Sequence, residues 1–295
     1  MDSGWRWEEH RLRFERYLQD LRFTEEPRFD GLVEAMRYSM IAGGKRVRPT
    51  LCMEVARVFG AEPERVLPSA AAIELIHTYS LIHDDLPAMD DDDYRRGQLT
   101  AHKKYGEAMA ILAGDAFFGE ALTLITVKQE GSCEEVLEVV RELAGSTGVE
   151  GMVGGQVMDM DHTGVGAKTD TETLYMIHKY KTGALIRSAA RIGAILAGAD
   201  EEGKAAISAY ASELGLCFQI VDDVLNATAT TEALGKSAGS DAEQNKATFV
   251  GVFGLEGARD EADATCERAL AALSRIDGDT SGLEALARFV RHRGS

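Results

Sequence analysis

Two aspartate-rich segments lie far apart in the sequence, one running from Asp84 to Asp90 and the other formed by Asp222 and Asp223. Carboxylates at this density repel one another unless a cation lies between them, and hard divalent ions such as Mg²⁺ prefer oxygen ligands. The two segments therefore predict the two halves of one Mg²⁺ site. Because Mg²⁺ is commonly bound through carboxylates together with phosphate groups, the same pattern indicates a phosphorylated ligand.

Basic residues accompany the first aspartate segment. Arg95 and Arg96 follow it directly, and the upstream stretch that begins at Gly43 and Gly44 contains Lys45, Arg46 and Arg48. Backbone amides in a diglycine loop can approach a ligand closely, and the cations beside them suit an anion. Alone, such a run would often only end a helix at the surface, so its weight comes from the neighbouring aspartates.

Other polar residues have helical spacing from the aspartates. His77 lies seven residues before Asp84 on the same helix face, although a lone buried histidine is more often a satisfied core residue. Lys181 and Thr182 offer an ammonium and a hydroxyl group, and Gln219 lies four residues before Asp223. Together these residues predict a deep cavity with carboxylates and cations at its mouth.

The elements that must position these residues are helices. Apolar residues recur at intervals of three and four almost throughout, which predicts an all-α protein of about ten or more helices. Two predicted helices, from about Pro68 to Asp85 and from about Ala205 to Leu225, are apolar nearly all round, which indicates central burial. Each is expected to end at its aspartates, where the helix dipole disfavours carboxylates and a bound cation would offset it.

Composition restricts the function further. The 295 residues contain no linker, so one domain over residues 1–295 is expected. A formal charge of −17 argues against nucleic-acid and anionic-membrane partners. Neither a membrane-spanning run nor a signal peptide is evident, which predicts a soluble, cytoplasmic protein without stable membrane insertion. The four cysteines form no CxxC pair and are expected to be reduced thiols.

Six segments carry a resemblance to a known family, and they occur in the order GGKRVRP, SLIHDDLPAMDDDDYRRG, AILAGDAFF, GGQVMDM, KYKTGALI and FQIVDDVLN. In this order and spacing they resemble the trans-polyprenyl diphosphate synthases, most closely the bacterial farnesyl diphosphate synthase type. The resemblance runs from about Gly43 to the C-terminus. The two residues inserted within the first aspartate motif, Pro87 and Ala88, are characteristic of that bacterial type.

The resemblance implies a fold and an activity. The fold would be an isoprenoid-synthase-type helical bundle around a deep central cavity, generally a homodimer. The reaction would be the head-to-tail (1'-4) condensation of isopentenyl diphosphate with dimethylallyl or geranyl diphosphate, which gives farnesyl diphosphate and diphosphate.

The resemblance also implies roles for individual residues. Three Mg²⁺ ions would bridge the allylic diphosphate to Asp84, Asp85, Asp90, Asp222 and Asp223. The same diphosphate would be held by Arg95, Lys181 and Lys236, and isopentenyl diphosphate by Gly44, Lys45, Arg48, His77 and Arg96. The allylic cation would be stabilised by Thr182 and Gln219. Product chain length would be controlled at Tyr79 and Ser80.

One departure from the family pattern leaves alternatives open. The second aspartate motif ends in Asn226 where the family has aspartate, which removes one negative charge near the third metal. A non-catalytic subunit of a heteromeric prenyl synthase is therefore one alternative. A geranylgeranyl diphosphate synthase is a second, because the sequence does not fix the product length, and a class I terpene cyclase is a third. A cyclase would not need Lys45, Arg48 and Arg96 for a second diphosphate.

Overall fold

The computed structural model describes residues 6–228 and 246–292, and within them the chain forms thirteen α-helices and one short hairpin. The all-α prediction is confirmed. The helices are α1 (Trp7–Asp20), α2 (Asp30–Met40), α3 (Val47–Val58), α4 (Leu67–Asp84), α5 (Ala101–Tyr105), α6 (Glu107–Thr123), α7 (Cys133–Thr147), α8 (Met152–His162), α9 (Thr171–His178), α10 (Ala184–Leu196), α11 (Glu201–Thr228), α12 (Phe249–Leu273) and α13 (Ser281–His292). The strands are β1 (Tyr94–Arg95) and β2 (Gln98–Leu99).

Helices α4 and α11 are the two predicted central helices, and each lies in a core of its own. Helix α4 is buried on all sides from Ser69 to Ile76 and packs against α6 and α3. Helix α11 packs mainly against α12 and α10, with Tyr210 fully buried in its middle. Helices that are apolar all round need such complete enclosure, which explains their central positions.

The two aspartate segments occupy different positions along their helices. Asp84 is the last residue of α4, as predicted, and Asp85 follows it as the C-cap. Helix α11 continues to Thr228, so Asp222 and Asp223 lie more than one turn before its last described residue. The prediction that both segments terminate helices is therefore correct for the first and wrong for the second.

The hairpin β1–β2 follows the first aspartate segment and holds both predicted arginines. Tyr94 pairs with Leu99 and Arg95 with Gln98, which leaves Arg96 and Gly97 as the two-residue turn. Both turn residues have positive φ, 53° and 76°, the conformation of a type I′ turn whose twist matches that of paired strands. The turn therefore fixes Arg96 in a left-handed conformation beside Arg95.

A π-helical turn, Lys179–Gly183, joins α9 to α10. Its wider spacing is typical of functional sites in helices. A Cβ atom on Gly155 of α8 would overlap the backbone of Lys181, so only glycine permits this close approach. The signal for this contact is the glycine pair Gly154 and Gly155, which sequence reasoning did not interpret.

One stretch, Glu107–Lys128, is long and apolar enough to cross a membrane by length and composition alone. It comprises α6 and the π-helical turn after it, and 39% of its most apolar window is buried in the protein. The buried side packs against α4. The other side exposes large apolar residues, among them Ile111, Leu112 and Phe118.

Candidate active site

A cavity of about 420 Å³ lies between the start of α3, the middle of α4, the hairpin and α11. It brings together predicted residues from four separate segments of the sequence. Among the residues that line it are Gly44, Lys45, Arg48, His77, Arg95, Arg96 and Asp222. The whole set predicted for the acceptor diphosphate thus surrounds one space, together with one carboxylate of the second aspartate segment.

The loop before α3 has an unusual backbone conformation. Gly43 and Gly44 have φ values of 87° and 138°, and Arg46 is left-handed at φ 49° and ψ 37°. A non-glycine residue in that region is strained and persists only where its surroundings hold it. A Cβ atom on Gly44 would also lie 2.8 Å from the guanidinium carbon of Arg96, whose Nη1 donates to the Gly43 carbonyl.

Arg46 is the anchor of this loop and was not selected from the sequence. Its side chain is fully buried, and it donates to Glu74 of α4 at 2.7 Å, Glu15 of α1 at 2.8 Å and the Met40 carbonyl at 2.8 Å. Three fixed partners in three directions hold the left-handed residue in place. Arg46 therefore positions its neighbour Lys45, and the start of α3 with Arg48, at the cavity.

We expect Arg46→Met to lower the free energy of unfolding by about 3–5 kcal/mol, because Glu74 would remain buried without its partner. Urea denaturation of the purified variant measures this. Arg259→Met is the control, since Arg259 forms an exposed ion pair with Glu256 on one helix and its loss should not move the denaturation midpoint. Equal stability of the Arg46 variant and the wild type would refute the anchoring role.

Arg48 and His77 give the cavity its anion-binding character. Burial lowers the pKa of Arg48, the negative charge of Glu74 opposes that shift, and the Arg48 Nε atom is buried without a hydrogen-bond partner. Burial, and next the charge of Arg48, lower the pKa of His77 well below its usual value. The imidazole is therefore neutral near pH 7 and can donate one hydrogen bond. A guanidinium with an unused donor beside a neutral imidazole is suited to a phosphate oxygen.

The first aspartate segment folds back over the end of α4. The Asp90 amide donates to the Asp84 carbonyl at 2.8 Å, which brings both side chains to the same end of the helix. Burial raises the pKa of Asp84 to about 6, with Lys181 opposing and Asp90 adding to the shift. Asp85 is different, because it is buried against Arg95, whose Nε donates to its Oδ1 at 2.6 Å.

Lysines from two other elements reach this carboxylate group. Lys181 of the π-helical turn donates to Asp159 of α8 at 2.6 Å, and Lys246 donates to Asp90 at 2.9 Å. Burial alone would lower the pKa of Lys181, but Asp159 and Asp84 raise it above its usual value. Lys181 is therefore an ammonium ion close to Asp84, as a ligand for a diphosphate requires.

A chain of hydrogen bonds links Thr182 to α12. Thr182 Oγ1 donates to Gln219 Oε1 at 3.0 Å, and Gln219 Nε2 donates to Asp223 Oδ1 at 2.9 Å. The Phe249 amide donates to the other oxygen of Asp223 at 2.8 Å. The predicted shared face of Gln219 and Asp223 is confirmed, and these bonds fix the orientation of the Gln219 amide.

The carboxylates fit a divalent cation unequally. Asp84 and Asp90 lie at one helix end, and Asp222 lines the adjoining cavity. Burial, the main cause of the raised pKa of Asp84, disfavours the charged carboxylate, and a bound cation would stabilise that form. Asp85 accepts from Arg95, Asp90 from Lys246, and Asp223 from Gln219 and the Phe249 amide. The role of each carboxylate as a metal ligand stays a prediction.

A second acidic group is formed by Asp91, Asp93 and His102, whose potential ligand atoms lie within 4.8 Å of one another. Lys103 Nζ lies 2.7 Å from Asp93, so a cation of the protein already partners this exposed group. It was not among the residues selected for the metal.

Three further predicted residues are not part of these charged groups. Tyr79 is half-buried, five residues before Asp84, and its ring packs edge-on against Phe118 with centroids 6.4 Å apart. Ser80 donates to the His77 carbonyl at 2.9 Å. Lys236 lies outside the described residues.

The chain is similar to known proteins over most of its length. The family model for polyprenyl synthetase matches residues 30–280. The farnesyl diphosphate synthase of Escherichia coli is 43% identical over 286 residues, covering 94% of this chain and 93% of the relative. A geranylgeranyl diphosphate synthase of Cyanophora paradoxa is 43% identical over 267 residues, covering 90% and 88%.

A solved structure shares the fold over nearly the whole chain. The geranyltransferase of Helicobacter pylori, complexed with magnesium and isoprenyl diphosphate, superposes with a TM-score of 0.87 at 29% identity, covering 98% of this chain and 97% of that one. An FPP/GFPP synthase of Zymomonas mobilis gives 0.82 at 36% identity, with 96% of each chain covered. The chain therefore belongs to the polyprenyl synthetase family of prenyltransferases.

Proposed function

We propose that the chain catalyses the Mg²⁺-dependent 1'-4 condensation of isopentenyl diphosphate with dimethylallyl and geranyl diphosphates, and that it releases farnesyl diphosphate and diphosphate. The observation that carries the proposal is the cavity of about 420 Å³, which is lined by Lys45, Arg48, His77 and Arg96 and is adjacent to a carboxylate group. Two anion-binding regions beside each other suit two diphosphate substrates.

Isopentenyl diphosphate is assigned to the cationic cavity. Arg48 presents a buried donor without a protein partner, and neutral His77 can add one hydrogen bond. Lys45 and Arg96 supply further positive charge around the same space. Fixed donors of this kind hold the acceptor's double bond toward the allylic carbon without reorganisation.

The allylic diphosphate is assigned to the region of Asp84, Asp90 and Asp222, with Lys181 beside it. Mg²⁺ held by these carboxylates would neutralise the charge that develops on the leaving diphosphate. The Lys181 ammonium, fixed by Asp159 at 2.6 Å, adds a positive charge that is already oriented before the C–O bond breaks.

The carbon chemistry needs dipoles and no nucleophile from the protein. The allylic C1–O bond breaks, C4 of isopentenyl diphosphate forms the new bond to C1, and the proton lost from C2 passes to the released diphosphate. The oxygens of Thr182 and Gln219, held by the hydrogen bonds that lead to Asp223, would stabilise the transient carbocation. Exclusion of water protects that cation from hydrolysis.

Product length is the finer part of the proposal. Relatives named for farnesyl and for geranylgeranyl diphosphate have equal identity to this chain, 43% in each case. The half-buried Tyr79 ring supports the C15 product, because it lies about 7.5 Å along α4 from Asp84 and would limit a growing chain. Geranylgeranyl diphosphate, C20, remains the second candidate on the strength of those relatives.

Release of diphosphate tests the reaction class. We expect release in Mg²⁺ only when isopentenyl diphosphate and an allylic diphosphate are both present. Release from the allylic diphosphate alone would indicate a terpene cyclase. No release with any pair, from a protein that binds the substrates, would indicate a non-catalytic subunit.

Asn226 provides a test of metal affinity. It is buried on α11, one turn after Asp222, and Asn226→Asp would restore a carboxylate. We expect the Mg²⁺ concentration for half-maximal rate to fall by up to roughly tenfold, which corresponds to one charge-assisted contact. Initial rates over a Mg²⁺ titration measure this, with Asn226→Ala as the uncharged control. An unmoved titration curve would make the asparagine a neutral variation.

We further propose that the protein is a soluble, cytoplasmic homodimer. The apolar face of α6, which includes Ile111, Leu112 and Phe118, would be covered by the same face of a second copy. Sedimentation velocity tests this, and Leu112→Glu should shift the protein toward monomer. A monomeric wild type at micromolar concentration would contradict the proposal.

A further inference from the structure

A second cavity, of about 400 Å³, lies between α9, the π-helical turn, the first half of α10 and the middle of α11. It contains none of the residues assigned to the two diphosphates. Its walls are mainly apolar and include Tyr175, Met176, Tyr180, Ala184 and Leu216. A pocket of this size and composition can enclose the apolar body of a small molecule.

Arg187 is the exceptional residue of this cavity. Its Nε atom is buried and has no hydrogen-bond partner, and no carboxylate of residues 6–228 and 246–292 forms an ion pair with its guanidinium. The residue is half-buried, and its guanidinium keeps at least one hydrogen-bond donor unused at the wall of the cavity. A guanidinium donor of this kind suits a carboxylate or phosphate oxygen.

The other charged residues of the lining are Glu172, Lys179 and Glu213, and within residues 6–228 and 246–292 neither glutamate forms an ion pair with Arg187. Glu213 accepts from Arg268 Nε at 2.8 Å on the outer side. Lys179 lies exposed at the rim, with its ammonium 5.4 Å from the centre of the Tyr180 ring. The cavity therefore has mainly apolar walls and the half-buried Arg187 with an unused donor. Lys179 and Glu172 are exposed at its rim, and Glu213 is already paired with Arg268.

We propose that this cavity binds an amphiphilic anion, a small molecule with an apolar body and one carboxylate, sulfonate or phosphate group that Arg187 receives. The apolar body would lie against Tyr175, Met176 and Leu216. The ligand would contact Tyr180 and Gly183 of the π-helical turn. The two residues between them belong to the proposed active site, where Lys181 donates to Asp159 and Thr182 donates to Gln219. The site is thus separate from the reaction centre but adjoins an element that carries it.

Fluorescence titration with 8-anilinonaphthalene-1-sulfonate tests the proposal, because this probe combines an aromatic body with one sulfonate. The full chain is titrated with and without saturating isopentenyl diphosphate and Mg²⁺. We expect one class of sites that persists with the substrate present. Arg187→Met should raise the Kd about tenfold or more, as loss of a hydrogen bond to a charged group would, whereas Arg187→Lys should retain most of the affinity.

Two controls distinguish binding at this site from non-specific binding of the probe. Arg191 lies one turn further along α10, paired with Glu142 at 2.8 Å, so Arg191→Met should leave the Kd unchanged. N-phenyl-1-naphthylamine has the same aromatic body without the sulfonate and should bind Arg187→Met as it binds wild type, while Leu216→Trp should exclude both probes. An unchanged sulfonate affinity in Arg187→Met, or complete displacement by isopentenyl diphosphate, would overturn the proposal.

Discussion

Asp84→Ala is expected to lower kcat by about 10³-fold or more, the scale on which preorganised charge stabilisation operates. Asp84 is a buried carboxylate at the end of α4, and burial raises its pKa to about 6, with Lys181 opposing and Asp90 adding to the shift. The substitution would remove one of the carboxylates proposed to hold Mg²⁺ at the leaving diphosphate. It would also remove one of the carboxylates that raise the pKa of Lys181. Steady-state rates at saturating substrates, with circular dichroism to verify the fold, measure the effect.

The matched variants are Asp222→Ala and Asp93→Ala. Asp222 lines the cavity from the opposite helix, so its loss should produce a comparable fall in kcat. Asp93 belongs to the same acidic run as Asp84 but is exposed and paired with Lys103, so its loss should change kcat little. Equal effects of all three substitutions would mean that general acidity, and not a defined metal site, determines the rate.

Tyr79→Ala is expected to lengthen the product by at least one isoprene unit, from C15 to C20 or longer. In the proposed binding mode the prenyl chain would extend from Asp84 toward the N-terminus of α4. The Tyr79 ring lies in that direction and packs edge-on against Phe118 and against His83, the latter with centroids 5.5 Å apart. If the Tyr79 ring closes the end of the substrate cavity, its removal admits a longer prenyl chain. If the ring only packs in the core, its removal only lowers the stability of the fold. Chromatography of the dephosphorylated products distinguishes the two.

Tyr17→Ala is the control for that experiment. Tyr17 is also half-buried against the same core as Tyr79, but it lies on α1. Its loss should lower the melting temperature without changing product length. A folded, active Tyr79→Ala enzyme that still makes C15 would show that the chain-length floor lies elsewhere.

The sequence was sufficient where residue type and spacing act locally. The apolar spacing around Leu75 predicted the buried helix α4 that ends at Asp84, and the four-residue spacing predicted that Gln219 and Asp223 share a helix face. The cationic cavity was also predictable, because cations such as Lys45 and Arg48 near a group of aspartates indicate an anionic ligand.

Other features depend on contacts between distant segments. Arg46 looked like one more cation in a basic run, and only its burial with Glu15 and Glu74 reveals an anchor. Helix α11 was predicted to end near Leu225, but its last described residue is Thr228, so the helix includes Asn226. Arg187 gave no signal at all, since its missing partner is a property of the folded surroundings.

Product analysis tests the central proposal most directly. Purified protein is incubated with Mg²⁺, isopentenyl diphosphate and either dimethylallyl or geranyl diphosphate, and the products are dephosphorylated and identified by mass spectrometry. We predict farnesol as the main alcohol from both starters and no extension when excess EDTA is present. Geranylgeraniol as the main alcohol would contradict the C15 assignment, and undiminished condensation in EDTA, or no elongated alcohol at all, would contradict the mechanism.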